Sequence, residues 1–171
     1  MPIRICLIGP ECTGKTQLAQ RLARELGATC IPEYAREYVE RHGNVLTAED
    51  VEPIARGEIA NLDRATGDVI VLDTDLLSTV IYARHYYGSC PAWIEDEARA
   101  RRADLYLLLD TDIPWQPDPA RDACDDDARE DLFDAFRAAL DEFETKWEIV
   151  SGEGEERWRQ LRCAAGSTSL G

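Results

Sequence analysis

An eight-residue segment near the N-terminus constrains this chain of 171 residues more than any other feature. It reads Gly9-Pro10-Glu11-Cys12-Thr13-Gly14-Lys15-Thr16, so four residues separate the two glycines, and lysine and threonine follow the second. The apolar run Ile3 to Ile8 precedes the segment, and leucines at four-residue spacing follow it. The pattern G-x4-G-K-T between a strand and a helix is typical of a phosphate-binding loop.

The chemistry of this loop predicts how it would hold a triphosphate. Glycines let the backbone turn so that successive N–H groups point at phosphate oxygens, and the next helix adds the partial positive charge of its N-terminus. Lys15 is expected to reach the β and γ phosphates, and the Thr16 hydroxyl to bind Mg²⁺. The predicted Mg-ATP site comprises the loop and the start of the helix, namely Gly9, Pro10, Glu11, Cys12, Thr13, Gly14, Lys15, Thr16 and Gln17.

Two aspartates follow a second buried strand, Val69 to Leu72. The first, Asp73, ends this strand and is predicted to hold Mg²⁺ together with Thr16. Capping of the following helix is the alternative interpretation of Asp73. Asp75 is predicted to contact the substrate, with a favourable charge in the first helical turn as the alternative.

The rest of the chain alternates apolar runs with helical periods. Strands are predicted at 3–8, 28–31, 69–72, 105–109 and 147–150, and the helices include 33–41, 48–65 and 153–163. Because the strands lack polar alternation and are separated by helices, we expect an α/β fold of three layers, a P-loop NTPase fold with a five-stranded parallel sheet. The segment 111–126 is predicted to be a long loop. One domain is assigned to residues 1–165 and a disordered tail to residues 166–171.

The net charge of −15 argues against nucleic acid and membrane surfaces as partners, because both are anionic. Six cysteines without a CxxC pair make a disulfide framework or a zinc site unexpected. No signal-like run precedes the first strand and no apolar stretch is long enough for a bilayer, so the cytoplasm is the expected location. Self-association is left open by the sequence.

Several classes of P-loop protein do not fit this chain. The fifth strand is not followed by the guanine-reading NKxD motif, and the ABC signature is missing. The length does not accommodate an AAA core together with its helical lid domain. The chain instead resembles nucleoside and nucleotide kinases, which have a compact sheet, a segment with the catalytic base after the second strand and an arginine-containing lid after the fourth.

Three further segments sharpen the comparison. They are Pro32-Glu33-Tyr34-Ala35-Arg36-Glu37-Tyr38, Leu72-Asp73-Thr74-Asp75, and Pro114-Trp115-Gln116-Pro117-Asp118-Pro119-Ala120-Arg121. Over roughly residues 3–160 the chain resembles the ribosylnicotinamide kinase domain of NadR-type proteins and the short bacterial P-loop ATPases grouped with it. The adenylyltransferase and DNA-binding parts of those proteins have no counterpart in this sequence.

The resemblance implies a small-molecule acceptor and assigns residues to it. Glu33, Tyr34 and Arg36 would lie on the acceptor side, with Glu33 as base or orienting carboxylate. Trp115 and Arg121 would belong to a lid, where the arginine meets the γ-phosphate. The alternatives are a glutamate in the first turn of a helix and a solvated loop arginine.

The sequence departs from the family where two aromatic side chains hold the pyridinium ring of nicotinamide riboside. Pro32 and Val51 occupy these places. Because a flat cation prefers aromatic faces, nicotinamide riboside is expected to be a poor acceptor. The leading hypothesis is therefore an ATP-dependent kinase of a nucleoside-like molecule. The alternatives are a regulatory ATPase that signals to a protein partner and a structural role without nucleotide.

Overall fold

A parallel sheet of five strands forms the middle layer of the structure, a computed structural model that describes residues 1–114 and 126–169. The strands are β1 (Ile3–Ile8), β2 (Thr29–Ile31), β3 (Val69–Asp73), β4 (Leu105–Leu109) and β5 (Trp147–Val150). The helices are α1 (Lys15–Leu26), α2 (Tyr34–His42), α3 (Val51–Asp63), α4 (Leu76–Tyr87), α5 (Ala92–Ala100), α6 (Asp126–Glu142) and α7 (Gly154–Ser169). The strand order is β2-β3-β1-β4-β5, so β1 lies in the centre with a parallel partner on each side.

Helices cover both faces of the sheet, which explains why its strands are apolar throughout. In β1, Ile5 and Leu7 join the apolar cluster formed with α1 and α7. The alternating residues Cys6 and Ile8 join the cluster formed with α3, α4, α5 and α6 on the other face. The predicted three-layer fold with a five-stranded parallel sheet is confirmed.

Two helices differ from the sequence-based expectation. The stretch predicted as one helix over 48–65 begins with a separate 3₁₀ turn, Ala48–Asp50, because Thr47 and Asp50 form a capping box there. The last helix continues to Ser169 instead of ending near residue 163, so residues 166–169 of the expected tail are helical. Ala164 and Ala165 are buried in the cluster on the α1 side and keep this end packed.

The described cysteines are all free thiols, and Cys124 lies outside the described residues. Within the part of the chain that the structure describes, each helix is too short or too polar to cross a membrane. The segment 111–126, predicted to be a loop, is described only as far as Pro114, where it has no regular structure, and again from Asp126, where α6 begins.

Arg157 of α7 ties together the two loops that follow β4 and β5. Its side chain is 2% exposed. The guanidinium donates to Asp112 Oδ1 at 2.7 Å and to the carbonyl oxygens of Asp110 at 2.5 Å and Gly152 at 2.9 Å. The Gly152 N–H in turn donates to Asp112 Oδ2 at 2.5 Å. Because β4 neighbours β1, this buried arginine helps to fix the sheet edge at which the phosphate-binding loop lies.

Arg157→Ala is expected to lower the free energy of unfolding by about 2–4 kcal/mol, because it leaves one carboxylate oxygen of Asp112 and two backbone carbonyls without the donor they have in the wild type. The melting temperature should fall by about 5–15 °C in a protein of this size. Arg159→Ala is the matched control, since Arg159 lies on the same helix with its side chain 73% exposed. Its effect should stay within about 0.5 kcal/mol. Equal losses in urea titrations of the two variants would contradict the role of Arg157.

Candidate active site

The loop between β1 and α1 has positive φ angles at three positions. Gly9, Cys12 and Gly14 have positive φ angles of 140°, 56° and 83°, and between them the chain turns tightly into α1. A Cβ atom on Gly9 would lie 2.8 Å from the carbonyl oxygen of Leu109, so a side chain at this position is excluded by the close approach of β4. The loop therefore packs closely against the end of β4, next to β1 in the middle of the sheet.

Lys15 is held across this loop. Lys15 is 6% exposed, and its Nζ donates to the carbonyl oxygens of Gly9 at 2.8 Å and Pro10 at 2.6 Å. The Thr13 hydroxyl donates to the same Pro10 oxygen at 2.9 Å. The ammonium group therefore lies at the loop where the sequence predicts phosphate oxygens.

Thr16 and Asp73 meet at the predicted metal site. The Thr16 hydroxyl donates to Asp73 Oδ2 at 2.6 Å. Asp73 is 3% exposed, and its second oxygen, Oδ1, is buried and accepts no hydrogen bond from the residues that the structure describes. A buried carboxylate oxygen without a donor requires an explanation, and Mg²⁺ prefers such hard oxygen ligands. The side chains present therefore fit a magnesium ion.

Asp75 is buried beside α4, and its predicted contact with the substrate stays a prediction. Thr74 has a left-handed backbone with φ of 64°, which turns the chain so that Asp73 and Asp75 face different surroundings. Asp75 caps α4 by accepting from the Leu77 N–H at 3.0 Å and also accepts from the Tyr106 hydroxyl at 2.6 Å. Burial raises the pKa of Asp75 to about 6, although these hydrogen bonds oppose the shift.

Glu58 is a buried carboxyl group that the sequence analysis did not single out. It lies on α3 with 7% exposure, and its Oε1 accepts from the Tyr34 N–H at 2.9 Å, which caps α2 from outside. Burial raises the pKa of Glu58 to about 8, and the charge of the neighbouring Glu33 acts in the same direction. Glu58 is therefore largely protonated at neutral pH, and it anchors the backbone next to Glu33.

A cavity of about 430 Å³ adjoins the phosphate-binding loop. It is bounded by α2, α3 and α4, and it includes Glu11 of the loop and Thr74 next to Asp73. Its buried floor comprises Thr74, Ser78, Val51, Ile54 and Glu58, whereas the rim is exposed. The volume lies within the range of small-molecule sites, which is about 300–1,000 Å³.

Acidic groups dominate the lining of this cavity. The carboxylic residues are Glu11, Glu33, Glu40, Asp50 and Glu58. Arg36 is the single basic residue among the described lining residues. A lining of this sign disfavours anionic ligands and favours neutral or cationic ones.

The structure brings Glu33 and Arg36 to the cavity but not Tyr34. Glu33 is the N-cap residue of α2 and lines the cavity together with Arg36. The ring of Tyr34 lies instead over Gly57, where an added Cβ would come within 1.9 Å of Cε1, and Tyr34 is not among the described lining residues. The ring therefore packs against α3, and the predicted contact of this side chain with the substrate stays a prediction.

Other predicted site residues have different outcomes. Gln17 is exposed in the first turn of α1, and its contact with phosphate stays a prediction. Trp115 and Arg121 lie outside the described residues, so their roles in a lid also stay predictions.

The two positions at which the sequence lacks the expected aromatic side chains behave differently. Val51 is 6% exposed and lines the cavity, whereas Pro32 is exposed and is not among the described lining residues. Three tyrosines of α4 contribute aromatic rings, namely Tyr82, Tyr86 and Tyr87. The cavity is therefore aliphatic at Val51 on the α3 side and aromatic on the α4 side.

The sequence did contain a signal for Glu58. Val51, Ile54 and Ala55 are buried on α3 at the spacing of one helical face, and Glu58 is the next residue of that face. A glutamate on an apolar face is a sign of a buried carboxyl group with a partner. No comparable signal marks Ser78, because α4 is buried around most of its circumference.

Comparisons with known proteins agree with this geometry. The family model described as an AAA domain matches residues 4–157. The trifunctional NAD biosynthesis/regulator protein NadR of Escherichia coli (strain K12) is 28% identical over 166 residues, which cover 93% of this chain and 40% of that protein. A crystal structure of NadR protein in complex with NAD and AMP-PNP has a TM-score of 0.77 and 25% identity, and the match covers 98% of this chain and 49% of that chain.

A crystal structure of thymidylate kinase from Ehrlichia chaffeensis has a TM-score of 0.70 at 12% identity, with 99% of both chains covered. This likeness concerns the fold alone. The present chain spans about half or less of the length of the NadR proteins that it matches. The predicted resemblance to NadR-type proteins and the nucleoside- and nucleotide-kinase-like P-loop fold are confirmed.

Lys15→Ala is expected to lower the affinity for Mg-AMP-PNP about 30- to 300-fold, because it removes charge-assisted contacts with phosphate. Asp73→Asn should weaken binding in the presence of Mg²⁺ and have a smaller effect in EDTA, with the fold intact. Isothermal titration calorimetry measures both effects. Lys146→Ala, which removes the other lysine of the chain, is the control and should bind like the wild type. Unchanged affinity in Lys15→Ala would refute the phosphate site.

Glu58→Gln is expected to gain stability over the wild type as the pH rises. The folded-state pKa of about 8 lies above the ordinary value of 4.5, so the wild type loses stability between these two pH values and loses no more above about pH 8. The variant should be more stable by on the order of 2–4 kcal/mol at pH 8. Urea denaturation at several pH values measures the difference. Glu148→Gln, at an exposed position on β5, is the control. A difference in stability between Glu58→Gln and the wild type that does not change with pH would contradict the burial of Glu58 as a protonated acid.

Proposed function

We propose that this chain, which belongs to the family whose model is described as an AAA domain, transfers the terminal phosphoryl group of ATP to a nucleoside-like small molecule. The observation that carries the proposal is the contact between two sites. The phosphate-binding loop and the cavity share Glu11, and Thr74 of the cavity directly follows the predicted metal ligand Asp73. A molecule in the cavity would therefore face the end of a bound triphosphate.

On the nucleotide side, Lys15 and the loop amides would hold the β and γ phosphates. Lys15 would exchange its bonds with the Gly9 and Pro10 carbonyl oxygens for bonds with phosphate oxygens. Thr16 and Asp73 would hold Mg²⁺, which supplies charge neutralisation between the phosphates. A NadR protein has been crystallised with AMP-PNP, and this supports ATP as the nucleotide.

On the acceptor side, Glu33 would accept the proton of the hydroxyl group that attacks the γ-phosphorus. It lines the cavity at the N-terminus of α2, whose backbone Glu58 fixes through the Tyr34 N–H. A carboxylate within hydrogen-bond reach both orients the hydroxyl and removes its proton. Arg121 is proposed to complete the site by stabilising the negative charge on the transferred group.

The acidic lining favours an uncharged or cationic acceptor over a nucleotide. Arg36 is the one basic residue among the described residues that line the cavity. A nucleoside monophosphate would bring two negative charges to several carboxylic groups. Nicotinamide riboside is proposed to be a weak acceptor, because Val51 offers no aromatic face and the tyrosines come from α4 alone.

The test is ADP release with Mg-ATP, screened across nucleosides, nicotinamide riboside and nucleoside monophosphates. We expect at least one nucleoside to stimulate ADP release tenfold or more, and the monophosphates to have no effect. Lys15→Ala should abolish the stimulation. Basal ATP hydrolysis that no member of the panel stimulates would contradict the kinase and would favour the alternative, a regulatory ATPase whose nucleotide state controls binding of a protein partner.

A further inference from the structure

Thr74 has a backbone conformation that threonine rarely adopts. Its φ of 64° lies in the left-handed region, where a side chain branched at Cβ crowds the backbone. Residues strained in this way persist only where the surrounding structure holds them, and they concentrate at functional sites. Thr74 lies directly between Asp73, the predicted metal ligand, and Asp75, the N-cap residue of α4. The contacts on its two sides therefore determine how the strain is maintained.

On the side of Asp73, the backbone is tied to the central strand of the sheet. The Thr74 N–H donates to the Leu7 carbonyl oxygen at 3.0 Å, which continues the pairing of β1 with β3, where Leu7 lies beside Asp73. The peptide between Asp73 and Thr74 is thereby fixed. Because this peptide adjoins the Cα atom of Asp73, its orientation helps to direct the carboxylate to Thr16.

On the side of Asp75, the backbone is tied to β4 through a side chain. Asp75 Oδ1 accepts from the Leu77 N–H at 3.0 Å, and Oδ2 accepts from the Tyr106 hydroxyl at 2.6 Å. The same hydroxyl accepts from the Ala103 N–H at 3.1 Å, so its direction is fixed. Since β1 lies between β3 and β4, this hydrogen bond reaches across the central strand and holds the residue that follows Thr74.

We propose that Tyr106 is a positioning residue for the magnesium site, which it affects through Asp75 and Thr74. Its ring is fully buried in the apolar cluster that α3, α4, α5 and α6 form with the sheet, so it acts on the site only through its neighbours. Without the Tyr106 hydroxyl, Asp75 is released and Thr74 can relax to a negative φ. The peptide before Thr74 then turns, and the Asp73 carboxylate loses its direction. This inference rests on the proposed binding of Mg²⁺ by Thr16 and Asp73.

The experiment measures how much Mg²⁺ strengthens the binding of AMP-PNP, without turnover. The quantity is the ratio of the Kd in EDTA to the Kd in Mg²⁺, both from isothermal titration calorimetry. Tyr106→Phe is expected to lower this ratio about tenfold, because strain of this kind corresponds to roughly that factor in an equilibrium constant. The Kd in EDTA should change less than about twofold, since Lys15 is held by carbonyl oxygens of the loop and not by this chain of contacts.

Tyr38→Phe is the matched control, because it also removes a hydrogen bond between a buried tyrosine and an aspartate. The Tyr38 hydroxyl donates to Asp50 Oδ1 at 2.7 Å and joins α2 to the turn before α3. Both variants should lower the melting temperature by about 2–6 °C, the effect of one lost hydrogen bond in a protein of this size. Only Tyr106→Phe should lower the ratio, which a merely structural role does not predict.

A second substitution tests whether the effect passes through Thr74. Glycine adopts a positive φ without strain, so Tyr106→Phe should lower the ratio less than about twofold when Thr74→Gly is also present. Glu144→Gly is the control background, since Glu144 has a φ of 52° in the turn before β5, and there the loss should stay about tenfold.

An unchanged ratio in Tyr106→Phe, or equal losses in the wild-type and Thr74→Gly backgrounds, would overturn the role of Tyr106 and leave the metal site standing. A wild-type ratio near one would show instead that Mg²⁺ does not strengthen nucleotide binding. The proposed metal site would then fail, and this inference with it.

Discussion

The pairing of β1 with β3 on one side and β4 on the other is the constraint on which the site depends. In register, Leu7 lies beside Asp73 and Ile8 beside Leu108, so three strands end at nearly the same level. The phosphate-binding loop leaves β1 at this level and packs so closely on β4 that Gly9 has no room for a side chain. In the first turn of α1, the Thr16 hydroxyl then donates to the carboxylate of Asp73 on β3 at 2.6 Å. Groups far apart in the sequence meet because parallel strands end together at one edge.

Four carboxyl groups near this edge have different tasks because their surroundings differ. Asp73 has a buried oxygen that accepts no hydrogen bond from the described residues, and we propose that this oxygen binds Mg²⁺. The carboxylate of Asp75 accepts from the Leu77 N–H at the start of α4 and from the Tyr106 hydroxyl. Glu58 is buried enough to stay protonated and secures α2. Glu33 lines the cavity, where we propose that it receives the proton of the acceptor. Separation of carboxyl groups into acids and bases by burial is a general way in which enzymes assign roles to identical side chains.

Most of the fold could be predicted from the sequence, because buried parallel strands appear as continuous apolar runs. The phosphate-binding loop could also be predicted, because the spacing of its glycines and lysine is specific to loops that bind phosphate. Side-chain direction was harder to predict. The left-handed turn at Thr74 sends Asp75 into the core, and the bare backbone of Gly57 draws Tyr34 away from the cavity. Each effect depends on the backbone at a single residue, and hydrophobic periodicity in the sequence does not reveal such positions.

The cavity was the least predictable part, because its shape depends on how α2, α3 and α4 pack against one another. The resemblance to the family pointed to Val51, which lines the cavity, whereas no motif in the sequence pointed to the tyrosines of α4. Glu58 could have been recognised as a polar residue on an apolar helical face. Ser78 could not have been singled out, since the lack of a hydrogen-bond partner for its hydroxyl among the described residues is visible only in three dimensions.

The central claim is that the phosphoryl group goes to an organic acceptor and not to water. The most direct measurement is a single turnover of ATP labelled in the γ-phosphate, with enzyme in excess and a nucleoside mixture present, followed by separation of the labelled products. The account predicts that most of the label appears in a nucleoside monophosphate and that the transfer disappears in Glu33→Gln or Lys15→Ala. Label that appears only as inorganic phosphate, at the same rate with and without nucleosides, would contradict it.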